Sequence, residues 1–230
     1  MISSLFKNHD NILVFDVETT GLDSKRDEII EVAMLRVVNS EGAPIIEDEF
    51  STLVSLTPNR GLPSIITSIT GITEQQLLEG GDAKSNVCEK LVAALSCSKP
   101  LLVAYNAQFD LCFLYYFLNR FKKADVLGNI KMLDVLTIYK DRKPYPHKLS
   151  DAAFTYSLSQ RNTHRALDDT RLTYELLCKM GSESDDLGHY INLFGYNPKY
   201  GVSGLKISSV NYLPQGYKRV KKLYEEYASL

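Results

Sequence analysis

Residues 12–19 form an apolar run that carries two acidic residues at alternate positions, Asp16 and Glu18. Because side chains two residues apart project from the same face of a β-strand, these carboxylates are expected to lie side by side on a largely buried strand. Carboxylates held so close repel each other unless protons or cations neutralise them, and Mg²⁺ suits this role because it binds carboxylates together with water and phosphate. The alternative is a strand that ends in solvent, since the turn-like sequence Thr-Thr-Gly follows.

Two more acidic sites lie farther along the chain. Asp110 follows a predicted strand that begins at Leu101, and apolar residues then recur with helical spacing, so Asp110 is predicted to lie in the first turn of a helix. His164 and Asp169 stand at the start of another helical pattern, which continues to residue 177. Each has an ordinary alternative: an acid in a first turn favours the helix dipole, and a lone histidine is more often a surface or capping residue.

In this order, the sites resemble the three-motif signature of the DEDDh exonucleases. The motifs read Asp-x-Glu-Thr-Thr-Gly from residue 16, Asn-x-x-Phe-Asp from residue 106 and His-x-Ala-x-x-Asp from residue 164, and the resemblance covers about residues 10 to 180. The family includes the proofreading epsilon subunit of bacterial DNA polymerase III, ribonuclease T and oligoribonuclease. The resemblance implies a two-metal phosphodiester hydrolase that releases nucleoside 5′-monophosphates from a 3′ end.

The resemblance also implies a catalytic role for five residues. Two divalent ions, Mg²⁺ or Mn²⁺, would be held by Asp16, Glu18, Asp110 and Asp169. His164 would be the general base, because an imidazole can accept a proton from water at neutral pH. Asp169 is chosen over Asp168 because the family motif places this acid five residues after the histidine, and Asp168 falls one residue short. Tyr105 departs from the pattern, since the family often has histidine before the asparagine of the second motif.

Further residues of these segments are candidates for substrate contact. The predicted contacts are Thr19, Thr20, Gly21, Leu22, Ile69 and Asn106. Glycine allows the backbone at residues 19–21 to approach a terminal sugar, and Leu22 is placed to pack on the last base. The segment 62–73 resembles the family's apolar wall near the terminal nucleotide. A helix C-cap at Gly71 and an N-cap at Thr73 account for the same segment without a ligand, and the two interpretations are compatible.

The order of predicted elements indicates an α/β fold. Strands are predicted at 11–18, 29–38 and 45–54, followed by a strand at 101 and a short strand at 130–134; helices are predicted at 82–95, after residue 110, and at 134–140, 147–156 and 166–180. Three consecutive strands followed by alternating strands and helices favour a mixed sheet flanked by helices, which is the ribonuclease H-like arrangement that the resemblance implies. We predict an exonuclease domain at residues 1–182 and a small C-terminal extension at 183–230, after the polar segment 181–186.

The C-terminal extension is rich in tyrosine and basic residues. From residue 187 onward these are Tyr190, Tyr196, Lys199, Tyr200, Lys206, Tyr212, Tyr217, Lys218, Arg219, Lys221, Lys222, Tyr224 and Tyr227. Aromatic side chains among basic groups are typical of single-stranded nucleic-acid binding. The favoured alternative is a small docked subdomain, in which Val220, Leu223 and Tyr227 form one helical face. A third hypothesis is an interface for a polymerase or another protein.

Composition sets broad limits on the protein class. The 230 residues are 44% hydrophobic, enough for one domain or one domain with an appendage, and the formal net charge of −2 is not that of a strongly basic nucleic-acid binder. The four cysteines have no Cys-x-x-Cys spacing, so free and mostly buried thiols in a reducing compartment are expected. No stretch approaches the roughly 20 apolar residues of a membrane span, so the expectation is a soluble, cytoplasmic protein without membrane contact.

The resemblance implies a metal-dependent exonuclease that acts on single-stranded or frayed DNA or RNA 3′ ends, with DNA slightly preferred, in proofreading or repair. One alternative is an RNA-trimming exoribonuclease of the same fold. Another is a nuclease-fold protein that binds nucleic acid or tethers a partner. The presence of all five catalytic candidates argues against the last, because a binding module does not require them.

Overall fold

A five-stranded mixed sheet runs through the centre of the protein. The computed structural model describes residues 2–159, 163–216 and 221–229. The strands are β1 (Asn11–Thr19), β2 (Ile29–Ser40), β3 (Ala43–Leu53), β4 (Pro100–Ala104) and β5 (Lys131–Asp134). They lie in the order β3-β2-β1-β4-β5; β2 is antiparallel to β1 and β3, whereas β1, β4 and β5 are parallel. The predicted mixed sheet is therefore confirmed, with the predicted strands displaced by at most a few residues.

Helices connect the strands and cover both faces of the sheet. They are α1 (Ser64–Thr70), α2 (Glu74–Gly80), α3 (Lys84–Leu95), α4 (Ala107–Arg120), α5 (Val135–Arg142), α6 (Leu149–Thr155), α7 (Ala166–Glu183) and α8 (Leu223–Tyr227). Short 3-10 turns occur at Leu5–Lys7, Ala124–Leu127 and Leu187–Tyr190. A parallel pair, β6 (Leu193–Tyr196) and β7 (Asn211–Pro214), follows α7. The alternation of strands and helices after β3 is as predicted.

Strand β1 is buried on both faces, which is why its sequence is an almost continuous apolar run. Ile12 and Val14 pack in the core beneath α7, whereas Leu13 and Phe15 pack in the core beneath α3 and α4. The side chains of residues 16 and 18 point to the same face of the strand as those of Ile12 and Val14. Both acids of β1 therefore leave the strand on the face that α7 covers.

The two short helices after β3 have the caps that the sequence predicts. Gly71 has a φ of 71° and its N–H donates to the carbonyl of Thr67, so it ends α1 in the left-handed conformation that glycine allows. The Thr73 hydroxyl accepts from the N–H of Gln76, whose side chain accepts in turn from the N–H of Thr73. These caps fix the direction of α1 and of its exposed residue Ile69.

A buried glutamate, Glu28, attaches the segment before α1 to the sheet. Its carboxylate accepts from the N–H of Thr57 at 3.1 Å and from the Thr57 hydroxyl at 2.6 Å, and the Nζ of Lys84 lies 2.9 Å away. Burial alone would raise the pKa of Glu28, but the hydrogen bonds from Thr57 and Lys84 outweigh it and hold the pKa below its ordinary value. The charged carboxylate thus holds this loop in place.

Helix α7 extends beyond its predicted end at residue 180 and includes the first part of the segment 181–186, which was predicted as a break. Arg142 accounts for the extension, because its guanidinium donates to the carbonyls of Met180 and Ser184 and satisfies the end of the helix. Arg142 also pairs with Asp186. The boundary predicted after residue 182 falls within this last turn and stays a prediction.

The C-terminal extension packs its apolar residues into the cores of the sheet. Leu187, Tyr190, Leu193, Leu213 and Leu223 join the core beneath α7, and Phe194 and Val210 join the opposite core.

The predicted helical face of the extension is described only in part and stays a prediction. Helix α8 has only five residues; Leu223 is buried, but Tyr227 is 43% exposed. Val220, Tyr217, Lys218 and Arg219 lie outside the described residues.

The four cysteines are free thiols, as predicted; Cys88 and Cys112 are buried, and Cys97 and Cys178 are partly buried. Within the described ranges, no helix has the length and apolar character that a membrane crossing requires.

Candidate active site

Asp16 and Glu18 lie at the C-terminal end of β1, and both are half-buried. Burial raises the pKa of Asp16 well above its ordinary value, and the nearby carboxylates of Asp110, Glu18 and Asp169 raise it further. Burial, followed by the charges of Asp169 and Glu31, raises the pKa of Glu18 to about 8. The two acids therefore face other acids across a poorly solvated site.

Asp110 lies in the first turn of α4, as the sequence predicts, and is 3% exposed. Its Oδ1 accepts from the N–H of Val17, 3.3 Å away, which places this carboxylate between the two acids of β1. Burial raises the pKa of Asp110 well above its ordinary value. Asn106 has a φ of 64° where the chain turns from β4 into α4, a conformation that asparagine tolerates better than most residues.

Asp134, which the sequence analysis did not select, supports this turn. Its buried carboxylate accepts from the N–H of Ala107 at 3.1 Å and from the Thr137 hydroxyl at 2.7 Å. It also caps α5 by accepting from the N–H of Leu136. The spacing Asp-x-x-Thr at the start of a predicted helix was the available signal.

The third motif brings His164 and Asp169 to the same place. Ligand atoms of Glu18, His164 and Asp169 all lie within 4.8 Å of one another. Asp169 is buried in the first turn of α7, and burial raises its pKa to about 7. His164 is exposed, with a φ of 54°. The neighbouring Asp168 accepts from the Thr163 hydroxyl at 2.7 Å and lies outside this cluster.

An ion pair between exposed Arg165 and a buried glutamate fixes the backbone of the third motif. Glu31 on β2 is 2% exposed and lies opposite Glu18 in the β1–β2 pair. Its carboxylate accepts from the Arg165 Nη2 at 2.7 Å and Nε at 3.1 Å, and from the N–H of Ala166, the first residue of α7, at 2.9 Å. Glu31 thereby holds both Arg165 and Ala166, the residues at which α7 begins. Glu31 is not among the residues predicted from the sequence; the signal was a single acid within the apolar run of β2.

We expect Glu31→Gln to reduce cleavage about 10- to 100-fold, the usual effect of losing a residue that orients a metal ligand. Glutamine keeps the side-chain shape but loses the charge that holds Arg165, so His164 and Asp169 lose their fixed positions. The measurement is kcat, KM and the half-saturating Mg²⁺ concentration. Glu49→Gln is the matched control, because Glu49 pairs at the surface with Arg171, which lies in α7. Equal kcat in the two variants would contradict the positioning role.

The predicted substrate contacts divide into two groups. Thr19 and Thr20 are buried: the Thr19 hydroxyl donates to the carbonyl of Gly21 at 2.7 Å, and the Thr20 hydroxyl donates to Asp27 at 3.3 Å. These side chains shape the turn and do not point outward. A Cβ on Gly21 would lie 2.4 Å from the Asp27 carboxylate, so glycine lets the turn close.

The other group is exposed. Leu22 is 88% exposed and Ile69 is 46% exposed, and Asn106 is also at the surface. Exposed apolar side chains of this size are available to pack on a base. Tyr105, the departure from the family pattern, instead donates its hydroxyl to the carbonyl of His147 at 2.9 Å.

The donor set fits divalent cations. Four carboxylates supply hard oxygen ligands, and burial together with repulsion from nearby carboxylates raises the pKa of each, which is the condition that bound cations relieve. Oxygen donors favour Mg²⁺ or Mn²⁺ over softer metals. The residues that would hold the ions are Asp16, Glu18, Asp110 and Asp169, with His164 at the rim.

A mixed sheet in this order, with acids at the ends of its central strands, defines a ribonuclease H-like nuclease fold. The chain belongs to the RNase T exonuclease family, whose model matches residues 13–177. The fold is shared with E. coli exonuclease I, solved in complex with a dA16 oligonucleotide, at a TM-score of 0.70 and 18% identity over 79% of this chain and 43% of that chain.

Two relatives are DNA polymerase III proteins. A PolC-type DNA polymerase III from Caldanaerobacter subterraneus subsp. tengcongensis is 32% identical over 222 residues, which are 93% of this chain and 15% of that protein. A DNA polymerase III subunit epsilon from Treponema pallidum is 32% identical over 197 residues, which are 82% of this chain and 86% of that protein. The chain therefore spans only a small part of the PolC-type relative but most of the epsilon relative.

Proposed function

We propose that this protein is a 3′–5′ exonuclease that hydrolyses the terminal phosphodiester of single-stranded or frayed nucleic acid and releases nucleoside 5′-monophosphates. The observation that carries the proposal is the meeting of Glu18, His164 and Asp169 within 4.8 Å, near the half-buried carboxylate of Asp16 and the buried carboxylate of Asp110. The family match supports the reaction class. DNA is the preferred substrate, because the relatives are named as DNA polymerase III proteins.

Two divalent ions at the four carboxylates would neutralise the phosphate oxygens, activate a water molecule and stabilise the leaving oxygen. The protein's own contribution begins with position: β1, α4 and α7 each fix their acids through buried backbone. His164 accepts the proton of the attacking water, and its exposure at the rim lets that proton pass to solvent. Leu22 and Ile69 pack on the terminal base and hold the last phosphodiester over the carboxylates.

The biological setting that we propose is proofreading or repair, with a polymerase as partner. The names of the relatives support a polymerase partner. The C-terminal extension is the proposed contact, since its residues Tyr200 and Tyr227 remain exposed.

The test is a time course on 5′-labelled single-stranded DNA and RNA of matched sequence, with Mg²⁺, with Mn²⁺ and with chelator. We expect a ladder that shortens from the 3′ end, requires metal and forms faster on DNA. A 3′-labelled copy of each substrate should release labelled mononucleotide first. Faster cleavage of RNA would favour the RNA-trimming function, and the absence of cleavage with either metal would refute the proposal.

A further inference from the structure

A cavity of about 150 Å³ lies beside Asn106, at the edge of the sheet where the carboxylates meet. Asn106 and Asp134 stand at the ends of β4 and β5, the strands that follow β1 across the sheet. The cavity is thus one to two strands away from Asp16 and Glu18, on the side opposite to β2. The carboxylate of Asp134 accepts hydrogen bonds from Ala107, Leu136 and Thr137, and the charge of nearby Lys140 favours its ionised form.

The outer wall of this cavity comes from the C-terminal extension, and Gln108 holds it in place. The Nε2 of Gln108 donates to the carbonyls of Ser203 and Leu205, both at 2.7 Å, and its Oε1 accepts from the Tyr212 hydroxyl at 2.7 Å. The N–H of Gly195 donates to the Thr137 hydroxyl at 2.9 Å. The wall is therefore attached both to the second motif and to α5.

A second, smaller depression lies next to the cavity, and Lys140 and Asn197 line both. The second depression is also lined by Lys143, Tyr145 and His147. Because two residues line both, the depressions are neighbours on the surface. We call the two depressions together the upstream groove and define it by Asn106, Lys140, Tyr145 and Asn197.

The chemistry of the upstream groove suits a single nucleic-acid strand. Lys140 is half-buried and has neither an ion pair nor a hydrogen bond among the described residues, whereas Lys143 pairs with Glu183 at 2.6 Å. The Tyr145 ring is 70% exposed. A cation for the phosphate and an aromatic face for a base are the two elements that proteins use to bind single strands without regard to sequence. The side-chain amides of Asn106 and Asn197 add donors and acceptors between them.

We propose that the upstream groove binds the single-stranded nucleotides that precede the dinucleotide at which cleavage occurs, with Lys140 contacting a phosphate and Tyr145 stacking on a base. The inference rests on the proposed exonuclease function and names the part of the substrate that the C-terminal extension helps to recognise. It also explains why that extension is attached to the second motif.

The test compares a series of single-stranded DNA oligonucleotides, from a dinucleotide to an octanucleotide, in the parent protein and in the variants Lys140→Gln and Tyr145→Ala. In the parent, we expect KM to fall as the strand lengthens. In each variant, we expect KM for the octanucleotide to rise about tenfold, with kcat unchanged, while the dinucleotide is cleaved as in the parent. Lys140→Gln should also weaken the salt dependence of octanucleotide KM. Lys199→Gln is the matched control, because Lys199 lies over the Tyr200 ring and does not line the groove.

The outcomes separate the two proposals. If the parent cleaves no oligonucleotide in the series, the proposed function fails. If the parent cleaves all of them but its KM does not depend on length, or both variants match the parent on the octanucleotide, the groove assignment is overturned while the function stands. Equal losses on the dinucleotide and the octanucleotide also overturn it, because the dinucleotide has no nucleotide that reaches the groove. Tyr145 is at the surface, so its variant tests the groove even if Lys140→Gln impairs folding.

Discussion

Asp16→Asn and Asp169→Asn should each reduce metal-dependent cleavage by about 1000-fold or more, while the protein stays folded. Each substitution removes one of the four carboxylates that would hold the divalent ions, and such ions contribute several kcal/mol to transition-state stabilisation. The measurement is kcat/KM on a single-stranded oligonucleotide at saturating Mg²⁺. Asp168→Asn is the control, because Asp168 is adjacent in sequence but lies outside the cluster. Cleavage by Asp169→Asn at the parent rate would show that the ligand assignment is wrong.

Although they reduce cleavage, the same substitutions should stabilise the fold of the metal-free protein. In the metal-free protein, the folded state holds protons on Glu18 and Asp169 that the unfolded chain releases, since the pKa values rise from 4.5 to about 8 and from 3.8 to about 7. Their contribution to stability is fully present below about pH 4 and is lost as pH rises toward 8. We therefore expect the metal-free parent to melt at a lower temperature at pH 8 than at pH 6. Mg²⁺ should reduce this difference, and Asp169→Asn should reduce it without metal.

His164→Asn should reduce kcat by about 100- to 10,000-fold at neutral pH, because the attacking water loses the group that accepts its proton. Asparagine is chosen over alanine because residue 164 has a φ of 54°, which asparagine tolerates with less strain. The half-saturating Mg²⁺ concentration should change little if His164 acts as the base. A large loss of metal affinity would instead identify His164 as a ligand, which its 4.8 Å cluster with Glu18 and Asp169 permits.

The positions of the candidate acids were predictable because their signals are local, whereas their proposed roles come from the family resemblance. Alternation on a buried strand places Asp16 beside Glu18, and helix-start patterns place Asp110 and Asp169 in first turns. Glu31 was not found, because its importance depends on Arg165, which is 134 residues away along the chain. Periodicity within one strand gives no information about such a partner.

The C-terminal extension was harder to predict for a different reason. Helical spacing of Leu223 and Tyr227 indicated an amphipathic helix, but the extension buries its apolar residues from strands, turns and a five-residue helix. Short elements carry too few residues for a periodic pattern to be distinguished from chance. Gln108 binds this region to α4 through its side-chain hydrogen bonds. It occupies an unspecified position of the second motif, so the motif gives no information about its role.

The hydrogen bonds of Gln108 make residues 203–212 part of the same cooperative unit as Asp110. The first turn of a helix is ordinarily where a helix opens most readily. Here the first turn of α4 is held from inside by Asp134 and from outside by the segment that contains Ser203 and Leu205. Opening it requires breaking contacts on both sides, so amide protons of this turn should exchange with solvent as slowly as those in the middle of the helix. Asp110 thereby gains a rigidity that its own sequence segment does not supply.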